Sequence, residues 1–387
     1  MHGNFHTWSV KMAAFVILYL LITFLVGIPI FMAELSIGKL SESDSVNAFR
    51  KLANKNKNLW QLVGILAMVT AAIISSYYIV IIGWVFKYFT LSFAGLPNDI
   101  ESSKVIFNEL LTHGLGEQTL YFVIAFVACF FILSKGVKSG IEKLNIWMMP
   151  SLFILLVCIL FYAISMGDGF VKAAKFLFVP NFSAITPDVV LQALGLAFFS
   201  LSMGVGVIPT YAANLPEQTN LIKSTLSIIF INILIGIMMG LVVFTFIFAY
   251  GADSTASGPG LIFISLVTLF AKLGIVGNVM AIAFFVSLLF AGVTSAVSMI
   301  EPFAYYLVRK FEISRKMALV YIGIFVYILG LFCIFSYYAQ TANIFSIFGK
   351  PVFDALDFLT SNIMMPIGAI MFSFFVAYKL KKDSLYL

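Results

Sequence analysis

Ala197-Phe198-Phe199-Ser200-Leu201-Ser202-Met203-Gly204-Val205-Gly206-Val207-Ile208-Pro209 stands in the middle of a long apolar run. It is poorly built for an unbroken helix. Two close glycines favour non-helical backbone, and the proline removes a donor and crowds the preceding turn. At bilayer depth, unwound backbone persists only where protein packs on it or where it lines a polar cavity. Two readings follow. Freed carbonyls can bind a cation and a half-helix N-terminus can hold a carboxylate. Alternatively, the small residues make a kink that brings helices close together.

The rest of the chain supplies the bilayer. Of its 387 residues 62% are hydrophobic and 10% charged, with a mean hydropathy of +1.07. A soluble domain typically carries about 25% charged residues, so too little polar surface exists here to cover a globule in water. Nine apolar segments are expected, at about 12–38, 60–94, 118–134, 144–166, 188–213, 222–250, 274–308, 316–338 and 344–379. The predicted class is an all-α polytopic membrane protein. The loops after the odd-numbered segments hold 16 of the 23 basic residues. By the positive-inside rule this puts the C-terminus in the cytoplasm and the N-terminus outside. The net charge of +6 therefore sets topology and does not indicate nucleic acid. Cys129, Cys158 and Cys333 all lie in apolar runs, where they are expected to be buried thiols without disulfides or metal. His2, His6 and His113 lie outside the spans, and no phosphate loop or dinucleotide fingerprint occurs, so an enzyme is not expected. The loop 39–59 is either a short amphipathic helix on the membrane surface or a solvated basic loop.

Several polar groups sit inside the spans. Asn232 is a lone amide in Ile231-Asn232-Ile233, and Ala291-Gly292-Val293-Thr294-Ser295 brings two hydroxyls to one helix. Sodium prefers a compact cage of neutral carbonyl, amide and hydroxyl oxygens, which this inventory can supply; each group taken singly also suits a helix–helix hydrogen bond. Tyr77-Tyr78 suits an interfacial belt better than a pocket hydroxyl on residue type alone. Glu34, near the inner end of the first span, is costly there unless hydrogen-bonded, which makes it a functional or structural anchor. Asp357, near the outer end of the last span, suits snorkelling or gating.

Gly27-Ile28-Pro29-Ile30-Phe31-Met32-Ala33-Glu34-Leu35-Ser36-Ile37-Gly38 resembles the second transmembrane helix of the neurotransmitter:sodium symporter family. Ser76-Tyr77-Tyr78 with Trp84, the stretch 198–206, Ala291–Ser295 and Phe353–Asn362 resemble later helices of bacterial members, in the same order. The resemblance runs from about residue 13 to 380. It implies an inverted-repeat symporter fold and sodium-coupled uptake of an amino acid across the bacterial inner membrane by alternating access. In that pattern one sodium ion lies against the Ala291 carbonyl, Thr294 and Ser295, and a second uses Ser200 and Asn232. Tyr78 matches the hydroxyl that meets the substrate carboxylate, and Phe199 matches an aromatic lid. Ile74, Ser202, Val205 and Met299 match the side-chain pocket, whose apolar lining implies a neutral, hydrophobic substrate. Asp357 matches the acidic half of an external gate. The implied partners are that amino acid and the lipid bilayer, with self-association left open.

The chain also departs from the family pattern. The family's first helix carries an unwound Gly-Asn-x-x-Arg-Phe-Pro stretch, and Met1-His2-Gly3-Asn4-Phe5-His6 keeps only Gly-Asn. The expectation is a non-homologous stub at 1–12, one transporter domain at 13–380 equivalent to helices two to ten, and a cytoplasmic tail at 381–387. With the first helix lacking, transport by this polypeptide is expected to be impaired; the alternative is a non-transporting remnant serving as a scaffold or partner subunit. Arg309 stands where an acid usually closes the cytoplasmic gate, and Gly236 leaves chloride coupling unreadable.

Overall fold

A computed structural model describes residues 15–136, 142–179, 185–250 and 259–379. The expected stub at 1–12 and tail at 381–387 lie outside the described residues. The chain opens with α1 (Phe15–Ser41), which passes through a π turn at Thr23–Gly27 just before Pro29. Next come α2 (Ser45–Leu52) and α3 (Lys57–Ala94), then α4 (Ile100–Thr112), α5 (Leu115–Ser134) and α6 (Lys143–Ser165). They are followed by α7 (Asp168–Phe178), α8 (Pro187–Ser200), α9 (Val207–Ala212) and α10 (Leu221–Tyr250). The last third holds α11 (Val267–Lys272), α12 (Gly274–Phe311), α13 (Arg315–Tyr337), α14 (Val352–Leu359) and α15 (Met365–Lys379). A two-residue hairpin, β1 (Ser346–Ile347) with β2 (Lys350–Pro351), joins α13 to α14.

Helix starts are set by side chains that catch free N–H groups. Asp44 Oδ1 accepts from Val46 N and Asn47 N at 3.1 and 3.0 Å to start α2. Asp99 does the same for α4 through Ser102 N at 2.8 Å, and the Ser102 hydroxyl, donating to Oδ2 at 2.6 Å, together with that N–H holds its carboxyl below the usual carboxylate range. Thr186 Oγ1 caps α8, with Pro187 at the first helical position, where no N–H is needed.

Among the described residues, eight helices are long and apolar enough to cross a bilayer, and 188–213 is not among them. That segment is split into α8 and α9 by residues 201–206, so neither half reaches the roughly 20 residues a span requires. Helices α3 and α12 have 38 residues each. Such a helix is about 57 Å long, against a hydrocarbon core of about 30 Å, so both run well past the bilayer. They pack along one another at the centre, and α3 is the most enclosed span, with 67% of its most apolar window buried.

The loop 39–59 resolves differently from either expectation. Helix α2 lies against α3 with Val46, Ala48 and Phe49 fully buried, and Phe49 meets Phe372 and Phe375 edge-on at 4.9 and 4.8 Å. Its apolar stripe faces protein rather than the membrane surface.

Candidate functional site

The break between α8 and α9 is local backbone chemistry. Ser202, Gly204 and Gly206 adopt φ of +53°, +78° and +73°, the left-handed region that suits glycine. The hydrogen-bond ladder changes pitch as it fails: Ser202 N–H reaches Phe199 O at 3.0 Å, and Met203 N–H reaches back to Phe198 O at 3.0 Å. At Gly204 a Cβ would lie 2.2 Å from Met365 O, so only glycine lets α15 approach this closely.

Neighbouring helices hold the open turn in place. Glu34 on α1 is fully buried, and its Oε1 accepts the Gly204 N–H at 2.7 Å. Its Oε2 has no hydrogen-bond partner. On the other side Ser45 Oγ donates to Gly206 O, and Thr210 Oγ1 donates to the same carbonyl at 2.9 Å. The anchor role expected at Glu34 thus has a defined target, a peptide N–H freed by the break.

A cavity of about 270 Å³ opens beside the break. From the α8 side it is lined by Phe199, Ser200, Ser202 and Val205, from α3 by Ile74 and Tyr78, and from α12 by Thr294, Ser295 and Met299. Nine sequence-predicted residues therefore meet around one space. Its walls divide into an apolar part (Ile74, Phe199, Val205, Met299) and a hydroxyl part (Tyr78, Ser200, Ser202, Thr294, Ser295). The Tyr78 hydroxyl faces Ser295. Thr294 Oγ1 gives its one proton to Phe290 O at 2.9 Å or Ala291 O at 3.1 Å, which leaves its lone pairs for another partner.

The tyrosine pair is not an interfacial belt. Tyr77 is 2% exposed and bonds Thr360 Oγ1 at 3.0 Å, while Tyr78 lines the cavity. Adjacent residues on α3 point to different neighbours because successive helical side chains lie about 100° apart.

Three predicted residues lie away from the cavity. Asn232 on α10 reaches a second cavity of about 410 Å³, which it shares with Ser200 and Tyr19. Its Nδ2 donates to Tyr19 Oη at 3.3 Å, and Tyr19 Oη meets Ser200 Oγ at 3.2 Å, so Asn232 connects to Ser200 only through Tyr19. Ala291 is half-buried and touches the hydroxyl cluster only through its carbonyl bond to Thr294. Asp357 sits exposed at the end of α14, where it accepts Ser361 Oγ at 3.2 Å beside the Tyr77–Thr360 pair.

Two features escaped the sequence analysis. Glu301 on α12 is 3% exposed and takes a two-pronged bond from Arg315, whose Nε and Nη2 also donate to Leu133 O at 3.0 and 2.7 Å. An acid inside an apolar segment was the available signal. Arg309, by contrast, is exposed and stacks on Tyr305 within its own helix. The second feature is Asn145 with Ser298, which line the same cavity from α6 and α12; nothing in their sequence context marks them.

The model of the sodium:neurotransmitter symporter family matches residues 11–109 and 113–383. The chain belongs to that family. An uncharacterized sodium-dependent transporter of Bacillus subtilis, YhdH, is 32% identical over 375 residues, covering 96% of this chain and 81% of its own. An uncharacterized sodium-dependent transporter of Haemophilus influenzae is 30% identical over 380 residues, with coverage of 96% and 82%. Among solved structures, MhsT in complex with L-phenylalanine superposes with a TM-score of 0.88 at 31% identity, over 99% of this chain and 86% of that one. The fold is thus that of a symporter in this family: an all-α, multi-pass membrane protein and not an enzyme. Sodium is the ion the family carries.

Proposed function

We propose that this symporter binds a neutral, hydrophobic amino acid together with sodium in the cavity beside residues 201–206, and that the break is the hinge of alternating access. The observation that carries the proposal is the two-part lining of one small space next to unwound backbone. At about 270 Å³ it falls at the small end of the roughly 300–1,000 Å³ typical of ligand pockets, which suits a free amino acid better than a peptide. The apolar wall of Ile74, Phe199, Val205 and Met299 has no charge to pair with a basic or acidic side chain. In this arrangement Tyr78 receives the substrate carboxylate, Phe199 covers it, and Ser202 borders the side-chain pocket. Sodium lies against Thr294, Ser295 and the Ala291 carbonyl, where neutral oxygens replace its water. The Ser200–Tyr19–Asn232 chain lies beside a second sodium position. Asp357 gates the outer end, and the basic loops place the C-terminus on the cytoplasmic face of a bacterial inner membrane.

The likeness to a structure holding L-phenylalanine gives the first ligand to try. Purified chain in lipid nanodiscs is titrated with labelled L-phenylalanine at rising sodium chloride, with choline chloride holding ionic strength constant. Saturable binding that appears only with sodium, displaced by leucine or tryptophan and not by lysine or glutamate, is expected. Equal binding in choline, or better displacement by lysine or glutamate, would overturn the proposal.

A further inference from the structure

Asn145 is the one polar side chain that α6 contributes to the central cavity, and its Oδ1 is buried with no hydrogen-bond partner. An amide oxygen left so is unfavourable, and buried polar atoms of this kind normally face a partner. The groups across the cavity are Thr294, Ser295 and Ser298 on α12. Thr294 has already committed its proton to a carbonyl of its own helix, so it offers Asn145 no donor. What faces Asn145 is more oxygen. A space where an amide oxygen meets several hydroxyl oxygens, with Ser295 turned toward Tyr78, suits a hard cation, which takes neutral oxygens from several elements at once. Pro150 lies one turn further along α6 and removes one rung of its ladder. The turn that carries Asn145 is thereby freer to adjust than an unbroken helix would be.

We infer that Asn145 is a sodium ligand: its Oδ1 joins Thr294 and Ser295 across the cavity, so the bound ion ties α6 to α12. This rests on the sodium position of the proposed function and adds a ligand from a helix that position did not include.

The test uses the full chain in nanodiscs and reads two quantities separately: the sodium concentration for half-maximal L-phenylalanine binding, and the L-phenylalanine affinity at saturating sodium. Asn145→Leu keeps the side chain's size and removes its oxygen. It is expected to raise half-saturating sodium by about tenfold, the order of one lost polar contact, while the affinity at saturating sodium stays within about threefold. Asn145→Asp restores an oxygen and is expected to return half-saturating sodium to the wild-type value or below. Asn145→Ser, a smaller change for folding, is expected to fall between wild type and Asn145→Leu. An unchanged sodium requirement in Asn145→Leu, or in Asn145→Ser should the leucine variant not fold, overturns the inference. Weaker L-phenylalanine binding with an unchanged sodium requirement also overturns it, by assigning the oxygen to the substrate's ammonium group. Thr294→Ala separates the two levels. If it shifts the sodium requirement and Asn145→Leu does not, only the role of Asn145 falls; if wild type shows no sodium dependence, the proposed function falls with it.

Discussion

Replacing Gly204 with alanine tests the break between α8 and α9 at its tightest point. The new Cβ would lie 2.2 Å from Met365 O and 2.9 Å from Ala369 N. The first distance is 0.8 Å inside the 3.0 Å that real Cβ atoms respect, and both obstacles are backbone, which cannot rotate away. Gly368 meets Gly204 O from the other side, at 2.5 Å for its own added Cβ, so neither partner has slack. Holding an L-residue at φ +78° adds about 1–2 kcal/mol, and forcing an extra methyl into a packed contact adds about 1–3 kcal/mol. A loss of roughly 2–5 kcal/mol is therefore expected, or roughly 4–10 °C in apparent melting temperature at about 2 °C per kcal/mol for a long chain. Fluorescence-detected size-exclusion chromatography after a heating series measures it. Gly236→Ala is the matched control, since a Cβ there meets nothing within 4 Å and its backbone is helical. It is expected to match or slightly exceed wild type. A Gly204→Ala protein that melts with wild type and keeps sodium-dependent L-phenylalanine binding would refute the close-approach account of the break.

Three further outcomes follow from the same contacts. Glu34→Gln retains an oxygen for the Gly204 N–H and is expected to cost under about 1 kcal/mol, whereas Glu34→Ala strands that N–H and is expected to cost about 2–4 kcal/mol; equal melting of the two variants would dismiss the hydrogen bond. Tyr78→Phe removes the hydroxyl that faces Ser295 and is expected to weaken L-phenylalanine about tenfold at saturating sodium; equilibrium binding with unchanged affinity would remove Tyr78 from the carboxylate site. Glu301→Met leaves Arg315 with only a carbonyl partner and is expected to cost roughly 2–3 kcal/mol, below the value for a fully buried pair because the Arg315 side chain is 28% exposed. The double variant Glu301→Met, Arg315→Met should recover most of that loss, and strictly additive melting shifts would show the pair to be uncoupled.

Class, spans and break were legible in the chain because each depends on residues that are neighbours in sequence. Hydropathy marks a span, and Gly204, Gly206 and Pro209 disrupt a helix whatever packs against them. The ordered motifs from Gly27 to Asn362 added the family and nine residues that do surround one cavity. Which face of each helix meets which neighbour is another matter, since it follows from how the helices cross. Only the folded structure sent Tyr77 toward Thr360 and Tyr78 into the cavity. It alone seated α2 inside the bundle, put Asn232 behind Tyr19, joined Glu301 to Arg315 across a turn, and left the oxygen of Asn145 unpartnered opposite Thr294. Those are pairings between distant segments, and a side chain's type says that it needs a partner without saying where the packing will supply one.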